Sequence, residues 1–222
     1  MRYLQQLFQH SKTYLLPGMF APVVIGTLLA WQTLTFLRWW PFTCMLVINI
    51  SLFVLLYGYL LPRRTAFAAH KHGWISMLLV CCSSILLLST AYLLQVGNWN
   101  VSILLAGVPM GLYTTIVFYC QHYGTQQIGP NQEYISVRKL RLIGAGLTSL
   151  IAFAIVLDCL AGIYPWYAGI AILTTFPVLL TLLRIGQDRR NILHLRITTS
   201  GAYVKTALLF ALALLIHGFI GV

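Results

Sequence analysis

Acidic side chains are almost missing from this chain. Glu133, Asp158 and Asp188 are the only three in 222 residues, against 14 Lys and Arg, and none precedes Glu133. Hard cations such as Mg²⁺ are held by several oxygen ligands, carboxylates foremost, so chemistry that depends on a carboxylate cage has little to build on. Cysteine motifs are missing too. Cys44, Cys81, Cys82, Cys120 and Cys159 form no CxxC pair, and the adjacent Cys81 and Cys82 point to different sides of a helix, so small apolar filler is their expected role. No small-residue cleavage pattern follows the first apolar block, which is too long for the core of a signal peptide and reads as a true span.

What is present is hydrophobicity: 59% of the residues are apolar. They gather into seven blocks, about Tyr14 to Leu37, Phe42 to Leu61, Trp74 to Gln95, Val101 to Cys120, Leu142 to Ile163, Trp166 to Ile185 and Ala202 to Gly221. About 20 apolar residues suffice to cross a bilayer as a helix. Membrane barrel strands are shorter and alternate in polarity, so runs of this length exclude a barrel. The expected fold class is an all-α polytopic membrane protein, one integral helical domain over residues 1–222 with about seven spans.

Loops rich in Lys and Arg stay on the cytoplasmic side. Arg2 and Lys12 precede span one; Arg63, Arg64 and Lys71 follow span two; Arg138, Lys139 and Arg141 follow span four; Arg184, Arg189, Arg190, Arg196 and Lys205 follow span six. Thirteen of the fourteen cations then share one side and Arg38 alone takes the other, which places the N-terminus inside and the C-terminus outside. Trp39, Trp40, Trp99, Tyr164 and Trp166 fall at the outer boundary, where amphipathic rings collect. This orientation accounts for the net charge of +11. No basic module stands apart from the spans, so nucleic acid is not an expected partner.

The three long connections share the cytoplasmic side. Residues 62–73 and 121–141 bring Arg63, Arg64, Lys71, Arg138, Lys139 and Arg141, which are expected to form a positive mouth for a lipid headgroup or a diphosphate, with the tail between the helices below. Residues 186–205 read as the start of an amphipathic segment along the interface. Residual acid–base candidates are Glu133, His70, His72 and His122. The plainer account makes His70 and His72 part of a solvated turn around Lys71 and lets Glu133 offset its own loop's cations; no metal site is expected. Asp158 and His217, near the outer ends of spans five and seven, are the intramembrane ionisable positions. An acid at such depth is functional by default, unless it faces water or Arg38. Pro17, Pro22, Pro109 and Pro177 either kink their helices or pack, and Tyr113, Tyr119 and Tyr123 either line a cavity or anchor a boundary.

The stretch Ser11 to Ala30 (SKTYLLPGMFAPVVIGTLLA) resembles the first helix of the UbiA superfamily of membrane prenyltransferases, in its menaquinone-type, dihydroxynaphthoate prenyltransferase-like branch. Pro17, Ala21, Pro22, Val23, Gly26, Thr27 and Ala30 match that pattern, while His10 and Ser11 stand where Arg-Pro is usual. Leu104 to Leu112 is similar to the helix that leads into the family's second aspartate motif, and the chain from Gly162 onward follows its C-terminal pattern. The resemblance implies a helical bundle around an isoprenoid cavity in a bacterial inner (cytoplasmic) membrane. Family members carry more helices and two aspartate-rich motifs that bind Mg²⁺ and the prenyl diphosphate. Here residues 49–61 (NISLFVLLYGYLL) hold no carboxylate, and residues 121–140 hold only Glu133. The implied protein is a degenerate, non-catalytic UbiA-like chain that binds an isoprenoid or quinone lipid, or that serves as a subunit of a larger membrane complex. It needs no cofactor beyond such a lipid, and its partners are membrane lipids and other membrane subunits. The alternative is a prenyltransferase acting on a prenyl diphosphate and a quinone-precursor acceptor, with Lys and Arg taking the place of Mg²⁺.

Overall fold

Each apolar block is helical over most of its length in the computed structural model, which describes residues 16–34, 38–55, 73–126, 137–185 and 189–220. The helices are α1 (Leu16–Thr33), α2 (Trp39–Leu55), α3 (Gly73–Val96), α4 (Val101–Gln126), α5 (Val137–Leu160), a 3₁₀ helix (Trp166–Thr174) that runs directly into α6 (Thr175–Arg184), and α7 (Arg189–Ile220). No strand occurs among the described residues. Five segments are long and apolar enough to cross a membrane: Met77–Val96, Val101–Cys120, Val137–Leu160, Trp166–Arg184 and Leu193–Ile220. The protein is therefore an all-α, multi-pass integral membrane protein. α1 contributes a shorter apolar stretch, Phe20–Thr33.

Lipid tails are as apolar as leucine, so helices in a bilayer associate through close packing and interhelical hydrogen bonds rather than through exclusion of water. α3 shows how small residues supply that packing. On one side Gly26 of α1 lies so close to the Leu88 carbonyl oxygen that a Cβ would collide with it. On the other, Gly107 and Gly111 of α4, one turn apart in a GxxxG arrangement, press on Ile85 and on Cys81; a Cβ at Gly111 would stand 2.9 Å from the Cys81 carbonyl oxygen. α4 is the most enclosed of the membrane-length helices, packing against α1, α3, α5 and α7, whereas among the described elements α2 packs mainly on α1 and α3. Of the residues of α1 that carry the UbiA resemblance, Gly26 makes the close approach to α3, Ala21, Val23 and Ala30 are buried, and the Thr27 hydroxyl donates 2.8 Å to the Val23 carbonyl within the helix.

The 3₁₀ helix is nine residues long, well beyond the usual single turn. Its buried residues, Ala168, Ala171 and Thr174, repeat every three positions, which is the 3₁₀ period, and present a row of small side chains to α7. Pro177 falls in the first turn of α6, where a missing N–H is best tolerated. Two glycines with left-handed backbone, Gly97 (φ 81°) and Gly162 (φ 69°), end α3 and turn the chain after α5. At the same end of the bundle the Gln95 side chain clamps residue 38, accepting from its N–H at 3.1 Å and donating to its carbonyl at 2.9 Å. Trp39, Trp40, Trp99 and Trp166 are exposed there, as a boundary belt requires. Tyr164 departs from that expectation. It is buried and stacked on Phe210, ring centroids 4.5 Å apart.

Three helix starts lie more than one residue ahead of the sequence reading: α2 begins at Trp39 rather than Phe42, and the other two shifts are larger. α5 begins at Val137 rather than Leu142, and α7 at Arg189 rather than Ala202. The stretch expected to begin a separate interfacial segment is instead the first turns of α7. At 1.5 Å per residue the 32 residues of α7 extend about 48 Å, more than the roughly 30 Å hydrocarbon layer. The helix therefore starts in the headgroup region, and Lys205, grouped by sequence with the loop cations, lies well inside the Leu193–Ile220 span.

Filling the α1–α3 contact tests this packing. Gly26→Leu is expected to lower stability in detergent by about 1–3 kcal/mol through overpacking. Gly146→Leu, at a position with open space around its Cβ, should leave the unfolding midpoint near wild type.

Candidate functional site

α4 ends, α5 begins, α6 ends and α7 begins at one end of the bundle. There α5 carries Arg138, Lys139 and Arg141 in its first turns, all exposed, and α6 ends on exposed Arg184. Arg141 also donates a guanidinium hydrogen bond to the Ile185 carbonyl, which caps α6 and ties its end to α5. Part of its expected headgroup capacity thus serves the fold. Arg63, Arg64, Lys71, His70, His72 and Glu133 lie outside the described residues, and His122 sits on the last turn of α4 with its side chain outside the description.

One element at this end escaped the sequence reading. Arg196, Thr199, Ser200, Tyr203 and Thr206 follow one another at helical spacing along the inner side of α7. Arg196 is half-buried inside the Leu193–Ile220 span, close to Cys120 of α4. Thr199 is buried and satisfied by the Leu195 and Arg196 carbonyls at 2.9 and 3.1 Å. Ser200 is 2% exposed, and its hydroxyl meets no hydrogen-bond partner among the described residues.

Deeper in the bundle hydroxyl groups of α3, α4, the 3₁₀ helix and α7 pair with one another. The Tyr113 hydroxyl bonds Thr174 at 2.7 Å, and Thr174 bonds Thr206, joining α4, the 3₁₀ helix and α7. Beside them Ser84 of α3 bonds Thr114 of α4 at 3.1 Å, and the Tyr203 hydroxyl meets Thr114 from α7. The rings of Tyr113 and Tyr203 pack edge to face at 6.0 Å. Tyr113 is thus a structural tie between helices. Tyr119 is half-buried one turn and a half further on, and the side chain of Tyr123 lies outside the described residues.

Near the opposite end Asp158 is 4% exposed, so it does not face water. It makes no ion pair with Arg38, and one carboxyl oxygen has no hydrogen-bond partner among the described residues. Its backbone carbonyl accepts from the N–H groups of Ile163 (2.9 Å) and Tyr164 (3.3 Å) in the turn after α5. Burial, with the neighbouring Asp158 carboxyl as a second cause, holds the Tyr164 phenol well above its ordinary pKa, and its hydroxyl donates 3.0 Å to the Ala106 carbonyl of α4. His217 is exposed in the last turn of α7.

No three His, Cys, Asp or Glu side chains converge among the described residues. Their one acid, Asp158, lies at the end away from the cations, so these residues do not fit the Mg²⁺ that a UbiA-type active site would hold. No family model, no curated protein and no solved structure matches the chain.

The hydroxyl network predicts graded losses. Tyr113→Phe removes one interhelical bond and should cost about 0.6 kcal/mol, while Thr174→Val removes both bonds of the triad and should cost up to about 2 kcal/mol. Denaturant titration in mixed micelles, with a Tyr113/Thr206 double-mutant cycle, measures both.

Proposed function

We propose that this chain is a degenerate UbiA-like membrane protein of about seven spans that binds a lipid without turning it over. The lipid would carry a polar or anionic head and an isoprenoid or quinone-like tail. The observation that carries this reading is the polar stripe of α7. Arg196 enters the bundle from the cation-rich end, and Ser200, one turn deeper, is buried with a hydroxyl that meets no partner among the described residues. Arginine inside a span is costly and commonly marks a ligand or ion path. The guanidinium recognises phosphate or carbonyl oxygens in a planar, directional way. In this reading the cation-rich end faces the cytoplasm of a bacterial cell and the exposed Trp belt faces outward.

Two measurements test it. Reporters inserted in residues 127–136 and in residues 97–100 should report opposite sides of the membrane, the former cytoplasmic; the reverse would refute the orientation. Mass spectrometry of lipids extracted from purified protein should find an isoprenoid quinone or isoprenoid phosphate. Arg196→Gln should reduce the retained amount at least threefold, and His217→Gln, exposed at the opposite end of α7, should change it little. Release of diphosphate from added prenyl diphosphate with a naphthoate acceptor would establish the prenyltransferase alternative instead.

A further inference from the structure

Lys205 occupies a position that a membrane helix rarely allows. It is exposed, it lies inside the Leu193–Ile220 span, and it points away from the elements that α7 packs against, namely α1, α4, α6 and the 3₁₀ helix. Its depth follows from its neighbour. Thr206 bonds Thr174, which stands about 16 Å from Trp166 along the 3₁₀ helix and about 15 Å from Arg184 along α6. Lys205 is thus near the middle of the span. The Cα of Arg196 is about 13 Å away toward the cation-rich end, and a lysine stem covers about half of that when it snorkels. Charged residues at this depth almost always face the bundle interior, a water-filled cavity or an opposite charge.

The surroundings of Lys205 form a helix-sized track. Ile197, Gly201, Lys205, Leu208, Leu212 and Ile216 succeed one another three or four positions apart on the outward side of α7. Leu208 is 64% exposed, and the place where a Gly201 side chain would be is open, with no atom within 4 Å. A small residue one turn from a charge that pairs with no acid among the described residues lets another helix backbone approach closely. A second copy of this chain does not supply the complement. Its acids are Glu133, Asp158 and Asp188; the first and last fall outside the five spans, and Asp158 is buried between helices. Two copies meeting on this track would oppose two lysines.

We propose that this face of α7 docks a transmembrane helix of a different protein, one that carries an Asp or Glu at mid-membrane depth and pairs it with Lys205. The pairing stands apart from the lipid reading, since it uses the opposite side of α7.

The test uses the full-length chain reconstituted in phosphatidylcholine vesicles with fluorescently labelled model helices: a Leu/Ala transmembrane segment with a central Asp, and the same segment with Leu or Lys there. Energy transfer should show the Asp helix associating at least tenfold more tightly than the Leu helix. Lys205→Leu should abolish that preference, and Lys205→Asp should transfer it to the Lys helix. Gly201→Leu should weaken association with Lys205 still present. Each variant is checked by its unfolding midpoint, which an exposed position should leave near wild type. Equal association of the Asp and Leu helices, or a preference that survives Lys205→Leu, overturns the proposal and leaves Lys205 to lipid headgroups. Self-association of differently labelled copies that depends on Lys205 overturns it in favour of a homo-oligomer.

Discussion

Without water between them, helices gain little from burying apolar faces, and this bundle depends on how near its backbones come. The contacts converge on α3. Gly26 approaches Leu88 from one side, while Gly107 and Gly111 approach Ile85 and Cys81 from the other. Close approach shortens every dispersion contact along the interface and leaves no gap that a lipid chain would have to fill. The hydroxyl ties between Ser84 and Thr114 and among Tyr113, Thr174 and Thr206 then become possible, because their side chains are short and reach only a helix already close by.

The molecule divides its polar groups by depth. The midplane holds hydroxyls that satisfy one another. The cation-rich end holds arginines, one of which, Arg141, is used to cap a neighbouring helix. The far end holds tryptophans and a buried acid whose turn is closed by backbone hydrogen bonds. Among the described residues this layering keeps charge out of the interior except at Arg196 and Asp158, and those two stand at opposite ends.

Hydropathy located the elements well where polar residues do not interrupt them. Trp74 to Gln95 and Val101 to Cys120 became helices starting at Gly73 and Val101. It misplaced the starts of α5 and α7, because apolar content measures the hydrocarbon layer whereas backbone hydrogen bonding continues through Arg138, Lys139 and Arg190 into the headgroups. Lys205 was counted with the loop for the same reason. The hydroxyl network was not legible, since Ser and Thr count as neutral filler until the facing helix is known, although the spacing of Arg196, Thr199, Ser200, Tyr203 and Thr206 carries a helical period. The resemblance to a prenyltransferase first helix was legible as residues. In the fold several of those residues pack helices together, and small residues at that spacing are what any tightly packed membrane pair requires.

The long 3₁₀ helix between Trp166 and Thr174 couples reach to rotation. Rewinding its nine residues as α-helix would shorten the segment by about 4.5 Å and turn one end relative to the other by about half a revolution. Ala168 and Ala171 would leave α7, and Thr174 would lose Thr206. The row of small side chains and the threonine bond therefore act together as a register lock. They hold Trp166 at one surface and Arg184 at the other with a chain that, as plain α-helix, would fall short by most of a helical turn.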